Sequence, residues 1–229
     1  MVIFFQGYII FDPKKPKVAK FVGATAIVVL FTQIILGALT VLRLLESKVV
    51  TLHLALGVLL FALLLWNYWI ISESARHEKL NARAQAWAIF LAMAVYIQIL
   101  LGGMVSTNYA GLACPDVPKC LGQWWPEFQG LVALHMTHRL GAIAIFLLVI
   151  TNFILDQRKK TSLHLSAKSN SVYPMGSLAT WMLIVTCIQI AVGVSNVVFR
   201  IPPLVTVVHL VLGATLFALT LRKAYITQA

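Results

Sequence analysis

Charge is scarce in this chain. Asp, Glu, Lys and Arg make up 11% of its 229 residues, against 60% hydrophobic ones. With a mean hydropathy of +0.90, this composition excludes a soluble domain and points to a polytopic membrane protein. Negative charge is scarcer still, with seven acidic residues. No carboxylate or thiolate in the span bearing His135 and His138 completes a tetrahedral zinc set, so zinc is a poor fit. No central charged pathway of the kind a transporter needs is evident. The apolar stretch at 1–11 is too short to span and lacks a basic leader and an A-x-A site, so it is not expected to act as a signal peptide. No mitochondrial transit peptide is evident, so a bacterial or archaeal plasma membrane is expected.

Six apolar runs are present, at about 18–44, 49–73, 84–106, 131–155, 173–199 and 204–222 (a to f). Each is long enough for a spanning helix of roughly 20 residues. The +11 charge suggests nucleic acid until its distribution is read. Lys14, Lys15, Lys17 and Lys20 precede a. Arg76, Lys79 and Arg83 separate b from c, and Arg158, Lys159, Lys160 and Lys168 separate d from e. Arg222 and Lys223 follow f. The alternate loops carry only Arg43, Lys48, Lys119 and Arg200. Because positive residues mark the cytoplasmic side, both termini are expected inside and the 107–130 loop outside, with a lipid bilayer rather than nucleic acid as partner.

One stretch is written twice. Gln33, Ile34, Gly37, Val41, Val49, His53, Leu54, Leu56, Gly57, Phe61, Ala62 and Leu63 recur without a gap 156 residues later, from Gln189 to Leu219. The repeated unit is a helix pair, and c carries a third Gln-Ile-x-x-Gly at Gln98–Gly102. The expected architecture is therefore all-α: a complete four-helix bundle, c–f (84–224), preceded by a pair, a–b (18–73), that repeats e–f, and by a stub and basic segment (1–17). A pair matching c and d should stand ahead of a. The expectation is a start that is incomplete or assigned too far downstream. Internal repeats with a site at their interface are common in membrane proteins.

Each even helix carries a histidine in one end third. His53, His138 and His209 lie about five to seven residues inside their spans, on the order of 8–10 Å deep at 1.5 Å per residue. Imidazoles at common depth on separate helices suit the two faces of one haem. The plainer reading of any one of them is a hydrogen-bonded core histidine. His135 shares a helix face with His138. Arg139 suits either a haem propionate or the headgroups. Small residues such as Gly102, Gly103, Gly141, Ala142, Gly193 and Gly213 are expected to line a gap for a flat apolar cofactor, though glycines also permit plain close packing. His77 and His164 fall in basic loops and are expected to be solvated. Cys187 is expected to be a buried thiol.

The 107–130 loop is stiffened by Pro115, Pro118 and Pro126, and Trp124 and Trp125 suit a membrane interface. Cys114 and Cys120 lie close enough in sequence to close a small ring. They read as a structural staple or as a redox pair that passes electrons or docks a partner thiol protein.

Gly111-Leu-Ala-Cys114-Pro115-Asp116-x-Pro118-x-Cys120-x-Gly122, His135-Met-x-His138-Arg139 and the repeated helix-pair histidine together resemble the haem A synthase family, over about residues 18–224. The resemblance implies eight helices in two halves, and oxidation of a methyl of haem O to the formyl of haem A. It implies a b-type haem between His138 and His209. It makes His53 one ligand of the substrate haem, whose other ligand and glutamate belong to the missing pair. His135 stands where the substrate half has that glutamate. The expected partners are a quinol or thiol electron donor, and a second copy or a haem O synthase. The alternatives are a non-catalytic bis-histidine cytochrome serving a quinone or thiol partner, and a haem-handling scaffold.

Overall fold

The structure, a computed structural model, describes residues 1–72, 82–165 and 175–226, with backbone alone at 159–165 and 175–177. Among these residues all regular structure is helical: α1 (Val2–Phe11), α2 (Lys17–Leu42), α3 (Ser47–Ser72), α4 (Ala82–Thr107), α5 (Gly130–Leu165), α6 (Met175–Val198) and α7 (Pro203–Ile226), with one short 3-10 turn at Ala110–Leu112. Helices α2 to α7 are each long and apolar enough to cross a membrane, so the protein is an all-α polytopic membrane protein. Arg76, His77, Lys79 and Lys168 lie outside the described residues, and the side chains of Lys159, Lys160 and His164 are likewise outside them.

Most helix bounds fall within a few residues of the apolar runs. The exception is α5, which continues to Leu165 rather than ending near 155. The extension, Asp156-Gln-Arg-Lys-Lys-Thr-Ser-Leu-His-Leu, is polar but holds no proline or glycine. Helix propensity carries it past the end of the hydrophobic run.

The chain forms two compact units, residues 1–85 with 224–229, and residues 86–223. In the first, α1 packs on α2 and α2 on α3. The apolar stub is thus a helix, and its Gln6 is buried, accepting a 2.6 Å hydrogen bond from Asn67 Nδ2. A Cβ at Gly23 would stand 2.9 Å from Gln6 Oε1, which is why α2 is bare there.

The repeat seen in sequence is reproduced in the closure of two turns, one in each unit. Leu44 and Leu45 follow α2 with φ of 48° and 62°; Arg200 and Ile201 follow α6 with 58° and 61°. Leu45 N–H donates to Thr40 O at 2.8 Å and Ile201 N–H to Asn196 O at 2.6 Å. This 6→1 closure normally has glycine in the left-handed position. Here branched or long side chains occupy it at a cost of order 1–3 kcal/mol each.

Two expectations are corrected. Cys187 is exposed on α6, not buried; Met182, Val185 and Thr186 form the inward face, and Cys187 falls on the opposite side of the helical wheel. Lys223, counted with the flanking cations, turns inward within the second unit. Its ammonium donates to Asp156 Oδ2 at 2.7 Å and to Asn152 Oδ1, tying α7 to α5.

Candidate functional site

His138 of α5 and His209 of α7 meet inside the second unit. Their ring centroids are 6.5 Å apart and their planes 72° from parallel. His138 lies eight residues into α5 (from Gly130) and His209 six into α7 (from Pro203), so both sit roughly 9–12 Å along their helices at 1.5 Å per residue. Each ring is held by a glutamine of the preceding helix. Gln98 Nε2 of α4 is 3.1 Å from His138 Nδ1, and Gln189 Nε2 of α6 is 3.3 Å from His209 Nε2. The other nitrogen of His209, Nδ1, is buried with no partner among the described residues. Two imidazoles on one metal, with metal–nitrogen bonds of about 2 Å, have centroids about 6–6.5 Å apart. The observed 6.5 Å spacing matches that figure.

The glycines expected to line a cofactor gap have another use. A Cβ at Gly102 would lie 3.0 Å from His138 Cε1, and one at Gly193 3.0 Å from His209 Cε1. A Cβ at Gly213 would approach Gln189 Nε2 at 3.3 Å, and one at Gly141 would collide with the Gln98 carboxamide. These four positions are bare because side chains of the chain itself fill the space. Close packing, rather than a glycine-lined void, explains them.

His53 of α3 repeats the arrangement within the first unit, six residues into its helix from Ser47. Gln33 Nε2 donates to His53 O at 2.8 Å, and a Cβ at Gly37 would lie 3.2 Å from His53 Cε1. His53 Nδ1 is buried with no partner among the described residues.

Cys114 and Cys120 form a disulfide. It is fully buried and packs on Met136 and Val132 of α5. Asp116 Oδ2 accepts the Gly122 N–H at 2.7 Å across the ring, and a Cβ at Gly111 would press to 2.5 Å from Ile201 Cδ1. Arg139 is the clamp. Its Nη1 donates to Asp116 O (2.9 Å) and Lys119 O (3.0 Å), its Nη2 to Cys114 O (2.7 Å), and its Nε to His135 Nε2 (3.1 Å). The sequence left Arg139 between a propionate and the headgroups; most of its donors go instead to loop carbonyls, which the pattern His-x-x-His-Arg does not reveal. His135 is buried and supports the guanidinium. Trp124 and Trp125 remain exposed.

Arg139→Lys keeps the charge but not the planar fork. Hydrogen bonds to charged groups are worth about 1.5–3 kcal/mol each, so losing two or more should raise the rate of thiol labelling after mild reduction at least about tenfold. Alkylation of Cys114 and Cys120, followed by mass spectrometry, measures it.

Sequence reading missed the glutamines as partners of the histidines, although the threefold Gln-Ile-x-x-Gly was visible. It also missed Asn152 and Asp156, which carry no pattern. Among the described residues no cluster of three or more His, Cys, Asp or Glu forms a metal site.

A profile of the family described as "Cytochrome oxidase assembly protein" matches residues 1–221. A heme A synthase of Shewanella oneidensis is 30% identical over 238 aligned positions, covering 91% of this chain and 66% of that protein. One from Caulobacter vibrioides is 27% identical, covering 76% of this chain and 51% of its own. One from Shouchella clausii is 28% identical, covering 59% and 47%. The chain thus spans between about half and two thirds of the length of these curated relatives.

Proposed function

Because this chain belongs to the haem A synthase family of cytochrome oxidase assembly proteins, we propose that it acts in haem A formation as a membrane oxidoreductase, with haem O as substrate, a ring methyl being oxidised to the formyl of haem A. The observation that carries the cofactor half of this reading is the facing pair His138 and His209, 6.5 Å between centroids. In this reading both would hold a b-type haem, and such a haem would supply one-electron transfer when bound.

The chain's own groups then divide the work. Gln98 and Gln189 hold the ligand rings. Arg139 and His135 fasten the disulfide loop beside the His138 end of α5. His53, in the first unit, offers one imidazole toward a haem-sized substrate. A methyl C–H bond is beyond side-chain acids and bases, so the protein's part is to ligate, orient and keep water out. The electron donor in this reading is a quinol or a thiol protein; a thiol donor would have to displace the loop that buries the Cys114–Cys120 pair. A second copy of the chain, or a haem O synthase, is the proposed neighbour. The positive residues favour both termini in the cytoplasm and the disulfide loop outside the plasma membrane.

The test is pigment extraction from haem O-producing cells with and without this chain. Formyl-bearing haem that appears only with the chain supports the enzyme. Bound b-type haem with no formyl product would favour the electron-carrier reading instead.

A further inference from the structure

Three helix pairs carry the same reciprocal clasp. On the first helix a glutamine precedes a glycine by four residues; on the second a histidine is followed by a glycine. Each glycine receives the opposite side chain. In α2–α3 a Cβ at Gly57 would meet Gln33 Nε2 at 2.7 Å, just as one at Gly37 would meet the His53 ring. In α4–α5 the Gln98 amide also donates to His138 O at 2.8 Å, matching the Gln33 bond to His53 O. In α6–α7 the amide of Gln189 reaches the ring of His209. Plain helix packing needs only small residues. It does not need a carboxamide aimed at the same histidine three times.

A histidine ring is a broad two-fold rotor about its last torsion. A bond from one ring nitrogen to iron fixes that nitrogen's position and leaves rotation about the bond free. Something in the protein must set it, and groups beside metal ligands commonly do so. Here a Cβ at position 102 or 193 would stand 3.0 Å from Cε1, so only glycine leaves the ring its place, and the carboxamide nitrogen of Gln98 or Gln189 lies 3.1 or 3.3 Å from a ring nitrogen. We propose that Gln98, Gly102, Gln189 and Gly193 are positioning residues that set the rotation of the His138 and His209 imidazoles and hold the two planes near perpendicular. The proposal rests on reading these histidines as axial ligands. Plane angle governs the anisotropy of a low-spin ferric haem and biases its midpoint potential, so orientation has a readout separate from retention.

The experiment uses the purified full chain as isolated with its pigment. Electron paramagnetic resonance and redox titration are run on wild type, Gln98→Met, Gln189→Met, Gly102→Ala and Gly193→Ala. The wild type should give a strongly anisotropic low-spin signal. The variants should still carry haem, because the direct ligands remain, at an affinity lowered about 10–100-fold as is usual for groups that orient a metal ligand, yet show a shifted largest g value and a shifted potential. Four variants at two rings keep the result readable if one alanine fails to fold. Unchanged signals and potentials in the folded variants overturn the proposal. So does complete loss of haem from folded Gln98→Met and Gln189→Met, which would make the glutamines retention groups. His138→Ala is the parallel arm: if it keeps an unaltered haem, the ligand reading itself falls, whereas haem lost there with unaltered glutamine variants removes only the positioning role.

Discussion

Replacing either His138 or His209 with alanine is expected to abolish the low-spin haem absorption of the purified protein. The rings face each other across 6.5 Å from two different helices. Among the described residues of this unit the other imidazole near them, His135, is engaged by Arg139 and does not take over. Residues that merely support a metal ligand typically cost about 10–100-fold in affinity when removed, and a direct ligand is expected to cost at least that much. The two substitutions should therefore give the same loss, and the double variant should add little. His53→Ala alters a residue of the first unit and should leave this absorption in place. Difference spectra of reduced against oxidised protein, normalised to protein, measure it. An unchanged spectrum in both single variants would remove the cofactor claim.

The second large effect is expected at the other end of the same helices. Lys223, Asp156 and Asn152 are all buried, with the ammonium 2.7 Å from the carboxylate. Lys223→Ala strands the Asp156 charge, and breaking a buried pair from one side costs about 3–5 kcal/mol. At roughly 2–4 °C per kcal/mol for a protein of this size, the thermal midpoint in detergent should fall by on the order of 10 °C. Lys223→Met with Asp156→Leu removes both charges together and should recover most of that loss, because a buried pair is often replaceable by apolar side chains of similar volume. A double variant no more stable than Lys223→Ala would show that the pair is more than mutual neutralisation. Thermal scans of the three proteins decide it.

The histidine sites and the loop differ in how far the sequence reveals them. His53 and His209 could be matched without coordinates because the repeat is gapless, and the paired turns at Leu44–Leu45 and Arg200–Ile201 reproduce it. The spacing of Cys114 and Cys120 within one loop allowed a small ring without deciding the bond, which the structure forms. Arg139 did not follow, because its carbonyl acceptors at Cys114, Asp116 and Lys119 are 20 to 25 residues away and are backbone atoms, which leave no trace in residue identity. The glycines were legible as small but not as to why. Only the approach of a neighbouring helix shows that Gly102 faces an imidazole and Gly141 a carboxamide.

Taken alone, the sequence determined the number of the spans and most of their bounds, the repeat, and which residue types recur within it. Hydropathy and periodicity are properties of a single helix, and lipid demands that each span satisfy its own backbone. The tertiary structure decided which side chains meet: His138 with His209, Gln98 with His138, Lys223 with Asp156. Those meetings depend on the rotation and crossing of separate helices, and small residues at their contacts allow several such arrangements until the packing of the whole unit selects one.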